Sequence, residues 1–136
     1  MNRINEEQSS VSPSMEYSHY NYTSEGVEQG FQLIGMDWRY SYLNKTAILQ
    51  YGFDSEKELL GFSLMEKFAG IESSDMFRQL EMAMYEGIAS ILEYEFTFPD
   101  DISNWYELRV YPLLSGIMVL SIDITEQKNQ AKINFG

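Results

Sequence analysis

One histidine, no cysteine and a few clustered carboxylates are what this sequence offers to chemistry. The histidine, His19, lies in the polar stretch EYSHYNY (16–22), and a single imidazole there supports no Ser–His or similar nucleophile pair. Without Cys there are no thiolate nucleophiles, disulfides or thiolate metal sites. Asp100 and Asp101 are adjacent acids of the kind that acid–base or metal chemistry uses, but they sit in PDDIS (99–103) between two strand-like runs. Asp in that setting is turn chemistry, its carboxylate accepting from nearby backbone N–H groups. Glu93, Glu95 and Glu107 fall on strand-like segments. Aimed into a pocket, one of them would be the general base of a small hydrolase or isomerase; aimed outward, they are ordinary surface charges.

The whole-chain balance narrows the partners. The 136 residues suit one domain, and 44% apolar content is enough to build a core. A formal net charge of −12 argues against nucleic acid, which needs clustered Lys and Arg, and against anionic lipid surfaces. The opening MNRINEEQSS has no apolar signal core, and the longest apolar run, GIMVLSI (116–122), is too short to cross a bilayer. The expectation is a cytoplasmic domain with no direct membrane contact.

The elements that must position any site follow from pattern. Residues 1–23 read as a flexible arm, and SEGVEQG (24–30) as a short turn of helix capped by Ser24 and ended by Gly30. FQLIGMD (31–37) and the aromatic WRYSYLN (38–44) are strand candidates joined through MDWR. Asn44 caps a short helix over 45–51 that stops at Gly52. Ser55 and Glu58 have capping-box spacing, and GFSLMEKFAG (61–70) is another short helix or turn. Ser73 or Ser74 caps the one long helix, 75–87, in which Phe77, Leu80 and Met84 recur at helical spacing. Three strands follow, 90–98, 104–114 and 116–123, with tight turns between them. The order predicts an α+β fold: an antiparallel sheet with the helices gathered on one face.

Five stretches in this order carry a resemblance: GMDWRYSYLN (35–44), EKELLGFSL (56–64), MAMYEG (82–87), NWYELRVYPLLSGIMVL (104–120) and DITEQK (123–128). Together they resemble a PAS domain of the kind found in sensor histidine kinases and related signalling proteins. The resemblance implies a five-stranded antiparallel sheet, a sensory or dimerisation role rather than catalysis, and a domain over 24–126 followed by the start of a signalling helix at 127–136. It also implies a pocket between sheet and helices, for which Leu33, Tyr42, Ile48, Phe68, Phe77, Leu80, Met84, Phe96, Leu108 and Val119 are the candidates. These side chains line a small organic ligand or simply fill the core. Haem relatives use a His on or near the long helix, and His19 is far from it. Flavin photosensors of the family use a Cys, which is absent, and of the last strand only Ser121 offers a polar group to a flavin ring. No cofactor is therefore expected.

Two further features are physical. Strand 116–123 is apolar on both faces, since Met118, Leu120 and Ile122 alternate with Ile117 and Val119. Helices cover only one face, so Met118, Leu120 and Ile122, with Ile34 and Met36, are assigned to an outer face that the arm or a second copy must cover. This predicts a homodimer. The same strand then ends abruptly at Asp123-Ile124-Thr125 before EQKNQAKI (126–133). Asp123 or Thr125 is expected to cap a helix there, with Glu126 at capping-box distance from Asp123, making this the joint to a downstream output domain. A histidine kinase is the leading parent. The alternatives are a ligand-free dimerisation module of a diguanylate cyclase or chemoreceptor, and a pocket enzyme using a Glu base.

Overall fold

The computed structural model describes residues 29–97 and 100–135, with side chains as far as Ala131. The arm 1–23, His19 and the Ser24-capped turn lie outside the described residues. Five strands, β1 (Gly30–Gly35), β2 (Tyr40–Leu43), β3 (Ser90–Thr97), β4 (Ser103–Leu113) and β5 (Gly116–Asp123), form one sheet in the order β2-β1-β5-β4-β3. Every pairing is antiparallel, and the last strand in sequence is the central one. Between β2 and β3 run three helices, α1 (Lys45–Gln50), α2 (Leu64–Lys67) and α3 (Asp75–Glu86), and α4 (Thr125–Phe135) follows β5.

Side-chain caps set the helix starts. Asn44 Oδ1 accepts from Ala47 N–H and also from Phe31 N–H, both at 2.9 Å, so one amide caps α1 and anchors the start of β1. Ser74 caps α3, accepting from Phe77 N–H at 3.1 Å, and Gly87 ends it in the left-handed region at φ 70°. The buried stripe of α3 is Phe77, Leu80, Ala83 and Met84, a helical period facing the sheet. The capping box lies elsewhere than its sequence spacing first implies. Glu58 accepts from Asp54 N–H rather than from Ser55, while Ser63 and Glu66 form the full reciprocal pair at the start of α2. The second strand is also shorter than expected. Trp38 takes φ 66° in the connection and buries its ring against Phe77 at 4.7 Å, so β2 begins only at Tyr40.

The face assignment of β1 is reversed relative to the sequence pattern. Gln32 pairs with Val119 and Ile34 with Ile117, so these two face the helices. Leu33 pairs with Met118 and with Tyr42, on the opposite face, in a cluster with Phe31 and Leu120. Ile34 is therefore core and not outer face, and Leu33 and Tyr42 are outer face and not pocket. Met36 lies in the turn after β1 and is 53% exposed. The cause is Gln32: a polar residue in an alternating strand reads as outward, yet this one is 4% exposed and hydrogen-bonded inside. On β5 the alternation holds. Met118 and Leu120 are on the outer side, but at 6% and 3% exposure both are buried within a single chain, while Ile122 is half-buried. Met118 and Leu120 therefore need no second copy to cover them.

Candidate functional site

Between the inner face of the sheet and the helices lies a cavity of about 740 Å³. Its floor is aliphatic, from Ile34, Leu108 and Val119 on the strands and Leu80 on α3. Its sides are aromatic. Tyr51 lies 5.1 Å from Phe68, and Phe68 lies 6.0 Å from Phe96 in an edge-on contact, so the rings form a continuous run from the end of α1 to β3. One end is polar. Tyr51 donates to Gln32 Oε1 at 2.6 Å, and Tyr40 donates to Tyr51 at 3.3 Å. Ser121 donates to Gln50 Oε1, Gln50 Nε2 donates back to Ser121 O at 3.3 Å, and Tyr106 donates to Gln50 O at 3.3 Å. Burial pushes the Tyr40 phenol well up from its ordinary value, with a further rise from Tyr51 beside it. Burial also raises Tyr51 and Tyr106. These phenols are neutral donors at physiological pH.

Of the ten pocket candidates, Phe68, Leu80, Phe96, Leu108 and Val119 line the cavity. Ile48, Phe77 and Met84 belong to the main core away from its lining, and Leu33 and Tyr42 lie on the other side of the sheet. Gln32, Gln50, Tyr51 and Tyr106 line the cavity and were not among the candidates. Gln32 announces itself only weakly, as a carboxamide between apolar neighbours in FQLI. Gln50 and Tyr51 end a short helix, where sequence gives no direction.

The carboxylates are placed away from this space. The β3–β4 register puts Glu93 opposite Glu107 and Glu95 opposite Trp105, on the outer face with Ile122 and Leu120. Glu107 pairs with Arg109 at 2.7 Å. Among the described residues no Asp or Glu lines the cavity, and Lys67 is its one charged lining residue. Asp100 accepts from Ile102 N–H at 3.2 Å and Asp101 takes φ 69°, which is turn geometry. Among the described residues no group of three or more His, Cys, Asp or Glu is arranged to hold a metal.

At the end of β5 the joint is built differently from a simple cap. Ile124 O accepts the first helical bond, from Lys128 N–H at 3.0 Å, so Ile124 is in the cap position. Asp123 Oδ1 accepts from Thr125 N–H at 2.9 Å. The Thr125 hydroxyl turns back to the sheet, accepting from Trp105 N–H at 2.9 Å, and Ile124 N–H donates to Trp105 O at 2.8 Å. Lys128 completes the clamp, with its ammonium 4.5 Å above the Trp105 ring and paired with Glu93. The expected Asp123–Glu126 box is replaced by a three-point attachment of α4 to the start of β4. A Thr at this position has the pattern of a helix cap, but its hydroxyl instead meets the backbone N–H that β4 leaves at Trp105.

The sequence matches the family described as PAS fold over residues 24–129. No curated protein sequence matches it. Among solved structures it is similar to the PAS domain of a Colwellia psychrerythraea protein, with 14% identity and a TM-score of 0.62, covering 83% of this chain and 97% of that one. It is similar to a sensory box sensor histidine kinase from Vibrio cholerae, with 17% identity and a TM-score of 0.57, covering 82% and 90%. It is also similar to the Rhodobacter sphaeroides LOV protein, with 16% identity and a TM-score of 0.55, covering 81% of this chain but only 65% of that one. The chain thus spans just under two-thirds of the LOV protein's length. At such identities the structural likeness speaks for the fold.

Proposed function

This chain belongs to the PAS-fold family of sensory domains, and from that premise we propose that it binds a small organic ligand in the cavity and relays occupancy through β5 to α4. One observation carries this reading. Val119 and Ser121 line the cavity, and two residues further along the same strand Asp123 begins the joint to α4. A ligand that shifts the Ser121–Gln50 pair acts on the strand that holds the helix. The output lies in a downstream domain, with a histidine kinase as the proposed parent, in line with the likeness to the Vibrio cholerae sensor kinase. The domain itself is proposed to be non-catalytic and cytoplasmic. The outer-face position of Glu93, Glu95 and Glu107 leaves a Glu-base mechanism without a base in the cavity, and no described helix is long and apolar enough to cross a membrane. Homodimerisation is part of the proposal. Its support is the family, since Met118 and Leu120 are already buried within one chain.

The test is a small-molecule screen on the 136-residue chain by ligand-observed NMR, followed by hydrogen exchange with each compound that binds. Binding should change exchange at the amides from Ile124 to Lys128 as well as at the cavity. A compound that saturates the cavity while leaving those amides unchanged refutes the relay, and a screen with no cavity binder favours a ligand-free interaction module.

A further inference from the structure

Two polar groups of the cavity have chemistry left over. Gln32 is 4% exposed, lines the cavity, and accepts from Tyr51 through Oε1. Its Nε2 makes no hydrogen bond among the described residues and is not sealed from solvent, so it is a donor open to water or to a guest in the cavity. Lys67 is the second group. In a chain of net charge −12 it makes no ion pair among the described residues. Its ammonium lies 4.3 Å from the centroid of the Phe62 ring and 5.5 Å from that of Phe53, the latter a lining residue. Among the described residues Lys67 is the single charge on the lining and no acid offsets it there, so a cationic guest beside Lys67 is disfavoured and an anionic one has a partner. The sides of the cavity are aromatic: Tyr51, Phe68 and Phe96 offer ring faces and edges.

We infer that the cavity selects a small aromatic carboxylate that also carries a carbonyl-type acceptor. The ring packs against Tyr51, Phe68 and Phe96, the carbonyl accepts from Gln32 Nε2, and the carboxylate takes Lys67 as its counter-ion. Each part answers a separate feature: aromatic lining, an unspent donor, and a cation without an acid. The inference rests on the ligand-binding reading above and specifies its ligand.

The experiment uses the whole chain and four probes in NMR titrations: 4-acetylbenzoate, its methyl ester, 4-acetylbenzylamine and 4-ethylbenzoate. The acid should bind about tenfold tighter than the ester, and the amine should bind more weakly than either. 4-Ethylbenzoate, which lacks the acceptor, should also bind about tenfold more weakly than 4-acetylbenzoate. Lys67→Gln should erase the preference for acid over ester, and Gln32→Met the preference for acetyl over ethyl. The ligand-side comparisons on the unaltered protein stand even where Gln32→Met fails to fold. An ester or amine that matches the acid overturns the inference, as does an ethyl compound that matches the acetyl one, and in both cases ligand binding itself survives. If no probe binds, the aromatic carboxylate class is refuted, and the wider screen alone decides whether the cavity is a ligand site.

Discussion

Replacing Thr125 by Val removes one oxygen and keeps the shape, so it tests whether α4 is held to the sheet by the hydroxyl. In the native chain that oxygen accepts from Trp105 N–H at 2.9 Å in a part-buried position. Val leaves this N–H without its partner, a loss that costs about 1–3 kcal/mol when buried and falls to the low end when water reaches the group. The neighbouring bond from Ile124 N–H to Trp105 O, at 2.8 Å, is untouched and should keep the strand end in register. A loss of about 1.4 kcal/mol corresponds to roughly tenfold more frequent opening. Lys128→Met makes the comparison. The ammonium over Trp105 is worth about 0.5–1 kcal/mol at an exposed site, and the half-exposed pair with Glu93 about 0–1 kcal/mol. Thr125→Val should therefore loosen α4 to about the same degree as Lys128→Met, although it removes no charge. The assay is native-state hydrogen exchange read at Trp105 and Lys128, with Val119 as an internal reference. Exchange at Lys128 should quicken about tenfold in Thr125→Val while Val119 stays protected. Unchanged exchange at Lys128 would refute the hydroxyl clamp, and accelerated exchange at Val119 would mean that Thr125 supports the whole core instead.

Two other outcomes follow from the same geometry. Gly116 sits at φ 148°, and a methyl group there would drive into Ile34 O and the Gly35 backbone, so Gly116→Ala should destabilise by roughly 2–5 kcal/mol in urea unfolding, and a loss under about 1 kcal/mol would contradict the close approach of β1 and β5. Tyr40, Tyr51 and Tyr106 all have raised phenol pKa values, so the folded state holds these protons more tightly than the unfolded chain; their contribution is complete below the ordinary value of 10.0 and is lost as pH rises through the folded values, and a melting temperature that falls less steeply with alkaline pH in Tyr40→Phe/Tyr51→Phe than in the parent is the expected result.

The fold was largely legible because its signals are local. Asn44, Ser74 and Gly87 mark helix ends by side chain or backbone freedom, and the runs forming β3, β4 and β5 are strand-like over their whole length. The site was half legible. Apolar lining residues such as Leu80 and Val119 follow from periodicity, but periodicity reports polarity and not direction. A buried Gln32 therefore inverted the faces of β1, exchanging Leu33 and Tyr42 with Ile34. The polar end of the cavity depends on Gln50 and Tyr51 meeting Ser121 and Gln32 across long sequence separations, which no local pattern encodes. The joint at Thr125 misread for a related reason: a hydroxyl at a helix start looks like a cap until the strand end that competes for it is in place.

The central place of the last strand has a consequence for how the chain comes off the ribosome. The β1–β2 hairpin and the β3–β4 hairpin do not touch each other in the sheet; β5 lies between them, pairing Gly35 with Gly116 on one side and Tyr106 with Asp123 on the other. Until residues 116–123 emerge, the β1–β2 and β3–β4 pairs lack the strand that joins them, and either pair, where it forms early, is a marginal hairpin with an unpaired edge. Closure of the sheet waits on its most distant pairing, the kind whose loop entropy makes folding slow and leaves the intermediate open to edge-to-edge association. The strand that completes the cavity is thus also the one that ends the vulnerable interval of synthesis.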